Sequence, residues 1–569
     1  MATVADVLID TLVQFGVKRV YGIPAMTVDP ITDAIRRCEA IDFIVMRHEE
    51  AGALAASAQA KLNGELAVCL GCQGPGAIHL ANGMYDALLD HAPILAISGE
   101  MALNQQGLHI PQQIDLVALF QPVTVYNQQL KVAETAPELI ELACRQALEK
   151  RGPAHINIPY DICSAKAKKR VVVFKPQDFG CVYPRETTLN EAAEIINAGK
   201  KITIFYGFGA QDAAAEIKQL SELLKAPLVH TTRSKPFIDN HYANYIGGIG
   251  FMGTQWGNEA VEDCDVMITV GSSFGFSEFY PKEAKIVQID LEAEKIGLHA
   301  SVAVGLQGDS QETLRRLLPK LQARNDDRFL KKLQAKRDAD YKKHDQDTDA
   351  QKNEREIHPQ YLTHKISSLA NKDAIFCLDA GTVTLWGNIF LRLNGQQKYV
   401  WSANLGTLGS GLPAGIAAQF SYPDKQVVVL TGDGGFDMLI GDFATAVLYE
   451  LPIIFIIYNN GRYGFVEWEM EGQGYPTAYT NFSNCDYAAL AKAFGGDGIT
   501  VNKFSDIEPA FIQASKSKKP FIMDVAVTAR QTYIPSKFDI GLPFRFVESV
   551  TRQFVDKFLH KRTPSGLHK

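Results

Sequence analysis

The sequence predicts an α/β protein made of three parallel-sheet domains. Strand-like apolar runs alternate with helical patterns along most of the chain. Several runs, such as residues 427–430 and 453–457, are unbroken and rich in β-branched residues, as strands covered on both faces require. At 569 residues the chain also exceeds what one hydrophobic core supports, the usual domain size giving about three or four units.

The first block, residues 1–165, opens with the helical VADVLIDTLVQFG and continues through the strand patterns VKRVYGI, DFIVM, ELAVCLG and PILAISG. Glu49 follows one such strand and starts an alanine-rich helix, where a carboxylate suits the helix dipole. The loop at 71–76 follows another strand, and Gly74, Pro75 and Gly76 let a ligand lie against backbone before the next helix. Residues 166–187 are mixed in charge and broken by proline and glycine, as a linker would be.

The second block, 188–325, alternates again, and its strand ends carry small or polar residues: Gly207 and Gly209, Thr231, Arg233 and Lys235, Gly271, Ser272, Ser273 and Phe274, and Asp290. Such a set suits a dinucleotide, although no GxGxxG occurs and a purely structural α/β domain remains open. Residues 326–357 are densely charged and are expected to form a solvated helical connector. The third block, 358–530, has Gly381 and Thr382 at a strand end, another diphosphate-type turn. A tail, 531–569, ends in an amphipathic helix over 543–562, which suits docking on the body better than weak contact with a membrane surface.

Bulk properties exclude several classes. The hydrophobic content of 46% with 21% charged residues is that of a soluble globular protein. A formal charge of −7, with lysines and arginines scattered among acids, leaves no footprint for nucleic acid. Asp6 and Asp10 stand where a signal peptide would be basic or apolar, and no run nears the roughly 20 apolar residues of a membrane helix, so a cytoplasmic protein is expected. Nine cysteines, an odd number, fit reduced thiols, and the Cys69/Cys72 pair has no second pair to make a zinc site.

The most informative stretch is 425–470. Two buried strands run into Gly432-Asp433-Gly434-Gly435 and Asn459-Asn460-Gly461, with Asp433 and Asn460 27 residues apart. In a parallel βαβ unit both exits face one crevice. Asp433 supplies a carboxylate oxygen and Asn460 an amide oxygen to a hard cation, while Gly434 and Gly435 admit a diphosphate; Mg²⁺ favours so sparse a protein ligand set.

With these residues assembled, the chain from about residue 4 to 540 resembles the pyruvate oxidase branch of the thiamin diphosphate enzymes, which includes the quinone-linked pyruvate dehydrogenases. The matching passages include RHEEAGALAA, GELAVCLGCQGPG, HLANGMYDA, GSSFGFSEFYPKEAKIVQIDLEAEKIG, TGDGGFDMLIGDF and YNNGRYGFVEWEM. The resemblance implies a pyrimidine-binding domain, a central FAD-binding domain and a diphosphate-binding domain, with each thiamin site shared between two subunits of a homo-oligomer, usually a tetramer. Mg²⁺ would be held by Asp433, Asn460 and the carbonyl of Arg462. Glu49 would activate the cofactor ring, and Leu408 would hold the cofactor bent. Asn82 and Gly406 would join the thiamin-binding set, and Asp309 the FAD-binding set. Gln112, Phe465 and Glu469 would line the substrate pocket.

The implied activity is oxidative decarboxylation of pyruvate, with electrons passing to FAD and the acetyl group captured by phosphate or water. Oxygen with phosphate is the expected ending; a quinone acceptor, or a non-redox carboligase keeping FAD as structure, are the alternatives. Two departures stand out. The family's Phe-Gln-Glu triplet reads Pro111-Gln112-Gln113, so the aromatic ring is missing, and position 469 is Glu where acetolactate synthases carry Trp.

Overall fold

The computed structural model describes residues 2–171, 180–351 and 354–529, together with Ser549 and Arg552. Among these residues three six-stranded sheets form, and every strand pairing is parallel. The first sheet holds β1 (Arg19–Gly22), β2 (Asp42–Val45), β3 (Ala67–Gly71), β4 (Ile94–Glu100), β5 (Tyr126–Gln129) and β6 (Pro153–Pro159), ordered β2-β1-β3-β4-β6-β5. The central sheet holds β7 (Ile202–Tyr206), β8 (Leu228–His230), β9 (Tyr245–Gly248), β10 (Val266–Val270), β11 (Lys285–Asp290) and β12 (Val304–Gln307), ordered β12-β11-β10-β7-β8-β9. The third holds β13 (Ile375–Leu378), β14 (Lys398–Val400), β15 (Val427–Gly432), β16 (Ile454–Asn459), β17 (Asp497–Val501) and β18 (Phe521–Ala526), ordered β14-β13-β15-β16-β18-β17. The first and third sheets thus share one strand order. The central one has the doubly wound order that reverses between β7 and β10.

The two runs that carried the prediction are β15 and β16, neighbours in register with Val428 opposite Ile454. Their crossover is not one helix but two short ones, Asp433–Met438 and Phe443–Leu448. The alanine-rich helix Glu49–Asn63 has twelve of its fifteen residues buried, as a helix enclosed on all sides must. It lies between helices Pro75–Leu89 and Gly411–Ser421, close enough that a Cβ on Gly83 would stand 2.5 Å from Ala53. One apolar core therefore takes side chains from the first sheet, such as Tyr21 and Cys69, and from the third, such as Val429 and Phe455.

A buried ionic junction links all three domains. Lys61 Nζ lies 2.7 Å from Asp86 and 2.5 Å from Asp90, and Arg233 of the central domain lies 3.3 Å from Asp90. The backbone N–H groups of Ala403 and Asn404 in the third domain donate to the same Asp90 carboxylate.

The charged stretch expected as a solvated connector is corrected by the structure. It forms helix Arg328–Ala350, whose inner face buries Leu330, Leu333, Arg337 and Thr348. Arg337 donates to the carbonyls of Tyr242, Ala243 and Tyr245, and Asp345 pairs with Arg392 at 2.8 Å, so the helix straps the central domain to the third. Its outward charges hid that face, because an inner stripe of a few residues suffices against two existing surfaces. Most of the first linker, residues 172–179, lies outside the described residues. So does the tail, where the amphipathic helix was expected, apart from Ser549 and Arg552, which donate to the carbonyls of Tyr475 and Gly474.

Lys61→Met leaves Asp86 and Asp90 without their shared cation. It is expected to destabilise the fold by about 3–5 kcal/mol, read as a lowered denaturant midpoint.

Candidate active site

The exits of β13, β15 and β16 stand side by side in the third sheet. Asp433, 2% exposed, gathers two of them. Its Oδ2 accepts the N–H of Asn460 (2.9 Å), the N–H of Gly461 (2.6 Å) and Nδ2 of Asn484 (2.7 Å), while Oδ1 accepts the N–H of Gly434 (2.9 Å). Burial pushes this carboxyl up, and those hydrogen bonds pull it back. Asn460 Oδ1 accepts the N–H of Arg462 at 3.0 Å. Arg462 is held between two backbone bonds, Tyr463 N–H to Thr480 O and Phe482 N–H to Gly461 O, which leave its carbonyl outside that pairing.

Asp379, at the end of β13, is a residue that sequence reasoning missed. It is fully buried; Oδ1 accepts the N–H groups of Ala380, Gly409 and Ser410, and Oδ2 accepts the Thr431 hydroxyl at 2.8 Å. Burial pushes its pKa up to about 6. A Cβ on Gly435 would stand 2.3 Å from Asp379 Oδ2 and 3.2 Å from Leu408, so only glycine fits there. By contrast, a Cβ on Gly381, Gly406 or Gly432 would meet nothing within 4 Å. Open space therefore borders the backbone of three loops beside the start of helix Thr382–Phe390, a cradle suited to a diphosphate. Asp433 Oδ1, bearing a single donor, and Asn460 Oδ1 border it with oxygens suited to Mg²⁺. Asn484 Oδ1, buried and without a hydrogen-bond partner among the described residues, adds an unsatisfied acceptor beside Asp433.

The helix Gly464–Gly472 starts against this cradle, since a Cβ on Gly464 would stand 3.2 Å from Asn460 Nδ2 and 3.7 Å from Thr382. It carries Phe465 and Glu469 one turn apart on one face. Burial raises the Glu469 carboxyl.

In the first domain Glu49 begins its helix as predicted and is 8% exposed. Its Oε2 lies 2.9 Å from His79 Nδ1, and its Oε1 lies 2.9 Å from where a Cβ on Gly76 would stand. His79, also missed from the sequence, stacks on His48 at 4.3 Å; its position one turn before Asn82 was the available signal. Gly74 adopts φ +61 beside Gln112, and Pro75 opens helix Pro75–Leu89. Asn82 sits at the seam of the two domains, its Nδ2 donating to Glu50 Oε1 (2.6 Å) and to Thr407 Oγ1 (2.8 Å), between Gly406 and Leu408.

In the central domain Gly207, Gly209, Gly271 and Ser272 lie at the reversal of strand order, where doubly wound sheets bind dinucleotides. A Cβ on Gly207 would stand 2.5 Å from Gly271 O, so these glycines first serve the contact between loops. The Tyr206 hydroxyl on the last residue of β7 is buried without a partner among the described residues, and Ser273 beside Phe274 is exposed. Other predicted residues are engaged by the protein itself. Thr231 bonds Ser234, and Arg233 pairs with Asp90 over the Phe208 ring. Lys235, pushed down to about 7 by burial, donates to the Asn388 carbonyl. Asp290 accepts the N–H of Glu292, and Asp309 caps helix Ser310–Leu317.

Three parallel sheets with a carboxylate-tied cradle define a cofactor-dependent α/β enzyme architecture. Residues 2–119, 189–317 and 379–525 match, in turn, the N-terminal TPP binding, central and C-terminal TPP binding domains of the thiamine pyrophosphate enzymes. The chain is 35% identical to the Bacillus subtilis protein YdaP over 97% of this chain and 96% of that one. It is 31% identical to the pyruvate oxidase of Lactiplantibacillus plantarum over 92% and 88%, and 29% identical to an acetolactate synthase of Arthrospira platensis over 94% and 95%. The chain belongs to the thiamine pyrophosphate-dependent, pyruvate oxidase-like enzyme family. No helix among the described residues is long and apolar enough to cross a membrane.

Gly435→Ala drives a methyl group into Asp379 and is expected to destabilise the protein by about 1–3 kcal/mol in thermal or denaturant unfolding. Because the Asp379 pKa is raised from 3.8 to about 6, its contribution to stability is fully present below the lower value and is lost as pH rises through the upper one. Asp379→Asn, compared with the parent from pH 4 to about 7, is expected to flatten that part of the stability profile.

Proposed function

We propose that the protein catalyses oxidative decarboxylation of pyruvate with thiamin diphosphate, Mg²⁺ and FAD, converting pyruvate, phosphate and O₂ to acetyl phosphate, CO₂ and H₂O₂. The observation that carries the thiamin reading is the Asp433 carboxylate, which ties the exits of β15 and β16 together beside an open, glycine-lined cradle. Asp433, Asn460 and the Arg462 carbonyl would hold Mg²⁺, while backbone at Gly381, Thr382, Gly434 and Gly435 would hold the diphosphate.

Thiamin diphosphate, when bound, supplies the electron sink for loss of CO₂, and FAD supplies a two-electron acceptor. Glu49 holds the proton exchanged with the cofactor ring, and His79 fixes that carboxylate. Leu408 offers apolar surface to the bound cofactor. Gln112 and Phe465 border the substrate, and Glu469, its carboxyl raised by burial, orients phosphate or water. A second copy of the chain would contribute Glu49 to each site, in a homo-oligomer that we take to be a tetramer.

A second reading, carboligation with FAD as structure, draws support from the acetolactate synthase relatives and from Pro111 in place of an aromatic residue. Anaerobic addition of pyruvate separates the two: bleaching of the flavin is expected, and a flavin that stays oxidised would favour the carboligase. Peroxide formed equally well without phosphate would point to acetate as product.

Glu49→Gln is expected to lower kcat by at least about 100-fold while thiamin diphosphate is still retained. Asp433→Ala is expected to abolish magnesium-dependent retention of thiamin diphosphate after desalting.

A further inference from the structure

We infer that Gln73 is a positioning residue that orients the Gln112 amide and thereby selects substrates by their carboxylate; this rests on the proposed placement of Gln112 in the substrate pocket. Gln73 is 5% exposed, and its backbone N–H donates to Thr27 Oγ1 at 3.3 Å. Its Nε2 donates to Gln112 Oε1 at 3.3 Å. Gln112 itself is exposed and adopts φ +68, a left-handed conformation that costs energy for a residue with a side chain. Gly74 leaves room for it: a Cβ on Gly74 would stand 2.7 Å from Gln112 O and 2.9 Å from Gln112 Cβ. Two residues on, Gly76 borders Glu49, so one short turn sets both Gln112 and the proton-holding carboxylate.

An amide has an acceptor end and a donor end, and engaging one decides which is left for a ligand. With Oε1 taken by Gln73, the two N–H groups of Gln112 Nε2 are left to bind an anion. Gln73 keeps this orientation although its own Oε1 is buried without a hydrogen-bond partner among the described residues. The unpaired buried acceptor costs free energy, which the hydrogen bond from the donor end to Gln112 partly offsets. The ligand class is a small 2-oxo carboxylate, bound through its carboxylate by the Gln112 amide.

The substitution that reverses the polarity is Gln73→Glu. An acceptor-only carboxylate draws the Gln112 N–H groups inward and turns the Gln112 carbonyl toward the substrate's carboxylate. The expected rise in pyruvate KM is about five-fold for Gln73→Ala and about twenty-fold or more for Gln73→Glu, with kcat within about two-fold. The KM for methyl pyruvate, which lacks the charge, is expected to stay within about two-fold in both. Gln73→Met, close in volume and without polar atoms, is expected to match Gln73→Ala at an unchanged melting temperature, which separates the effect from misfolding. In a Gln112→Ala background, Gln73→Ala is expected to add nothing. Equal KM values for Gln73→Ala and Gln73→Glu, or a Gln73→Ala effect that adds in full to Gln112→Ala, would overturn the inference alone. A pyruvate KM unaltered by Gln112→Ala would overturn the placement of Gln112, and the inference with it.

Discussion

A carboxylate with no solvent exposure, Asp90, is the point on which the arrangement of the three domains turns. Burial alone would push its carboxyl up, but Lys61 and Arg233 outweigh that and hold it below its usual range. The group is satisfied only when the first domain supplies Lys61, the central domain supplies Arg233, and the third turns the N–H groups of Ala403 and Asn404 toward it. Misplacing any one domain leaves buried charge uncompensated, a cost of several kcal/mol that an apolar seam would not impose. The seam contacts, Asn82 to Thr407 and the Arg47 N–H to Asp442, are formed in the same arrangement.

The cradle uses buried carboxylates differently. Asp379 and Asp433 are held by N–H and O–H donors rather than by lysine or arginine, and each has its carboxyl raised by burial. Burial also raises Asp437 and Asp524, with the charge on Asp433 adding to both and that on Asp486 to Asp524. Neutral N–H and O–H donors leave the negative charge of such a site in place; in the proposed reading a divalent cation would offset it while a diphosphate would meet backbone N–H groups. The glycines divide the work: Gly435 is glycine because Asp379 lies against it, whereas Gly381 (φ +122) and Gly406 (φ +66) adopt backbone conformations that side chains disfavour and leave the space beside them open.

Much of this was legible in the sequence. The buried runs that became β15 and β16, the turns behind them, and Glu49 at a helix start are local patterns, and each appears where its residues imply. Short or polar strands were not legible: β5 reads YNQQ and β14 is three residues long, and both are strands only because a neighbouring strand offers a free edge. Helix Arg328–Ala350 was read as a solvated connector because its polar surface dominates its composition, whereas its inner face matters only against the two domains it joins.

By itself, the sequence determined the α/β class, the division into three sheets, and the pairing of Asp433 with Asn460, because hydrophobic period and turn chemistry act over a few neighbouring residues. Only the tertiary structure decided that Asp379 underlies the cradle, that His79 meets Glu49, that Gln73 grips Gln112, and that Arg233 and Asp309 serve the protein's own scaffold. Those partners lie on separate strands and loops, and a hydrogen bond or ion pair between distant residues depends on a geometry that no stretch of sequence encodes alone.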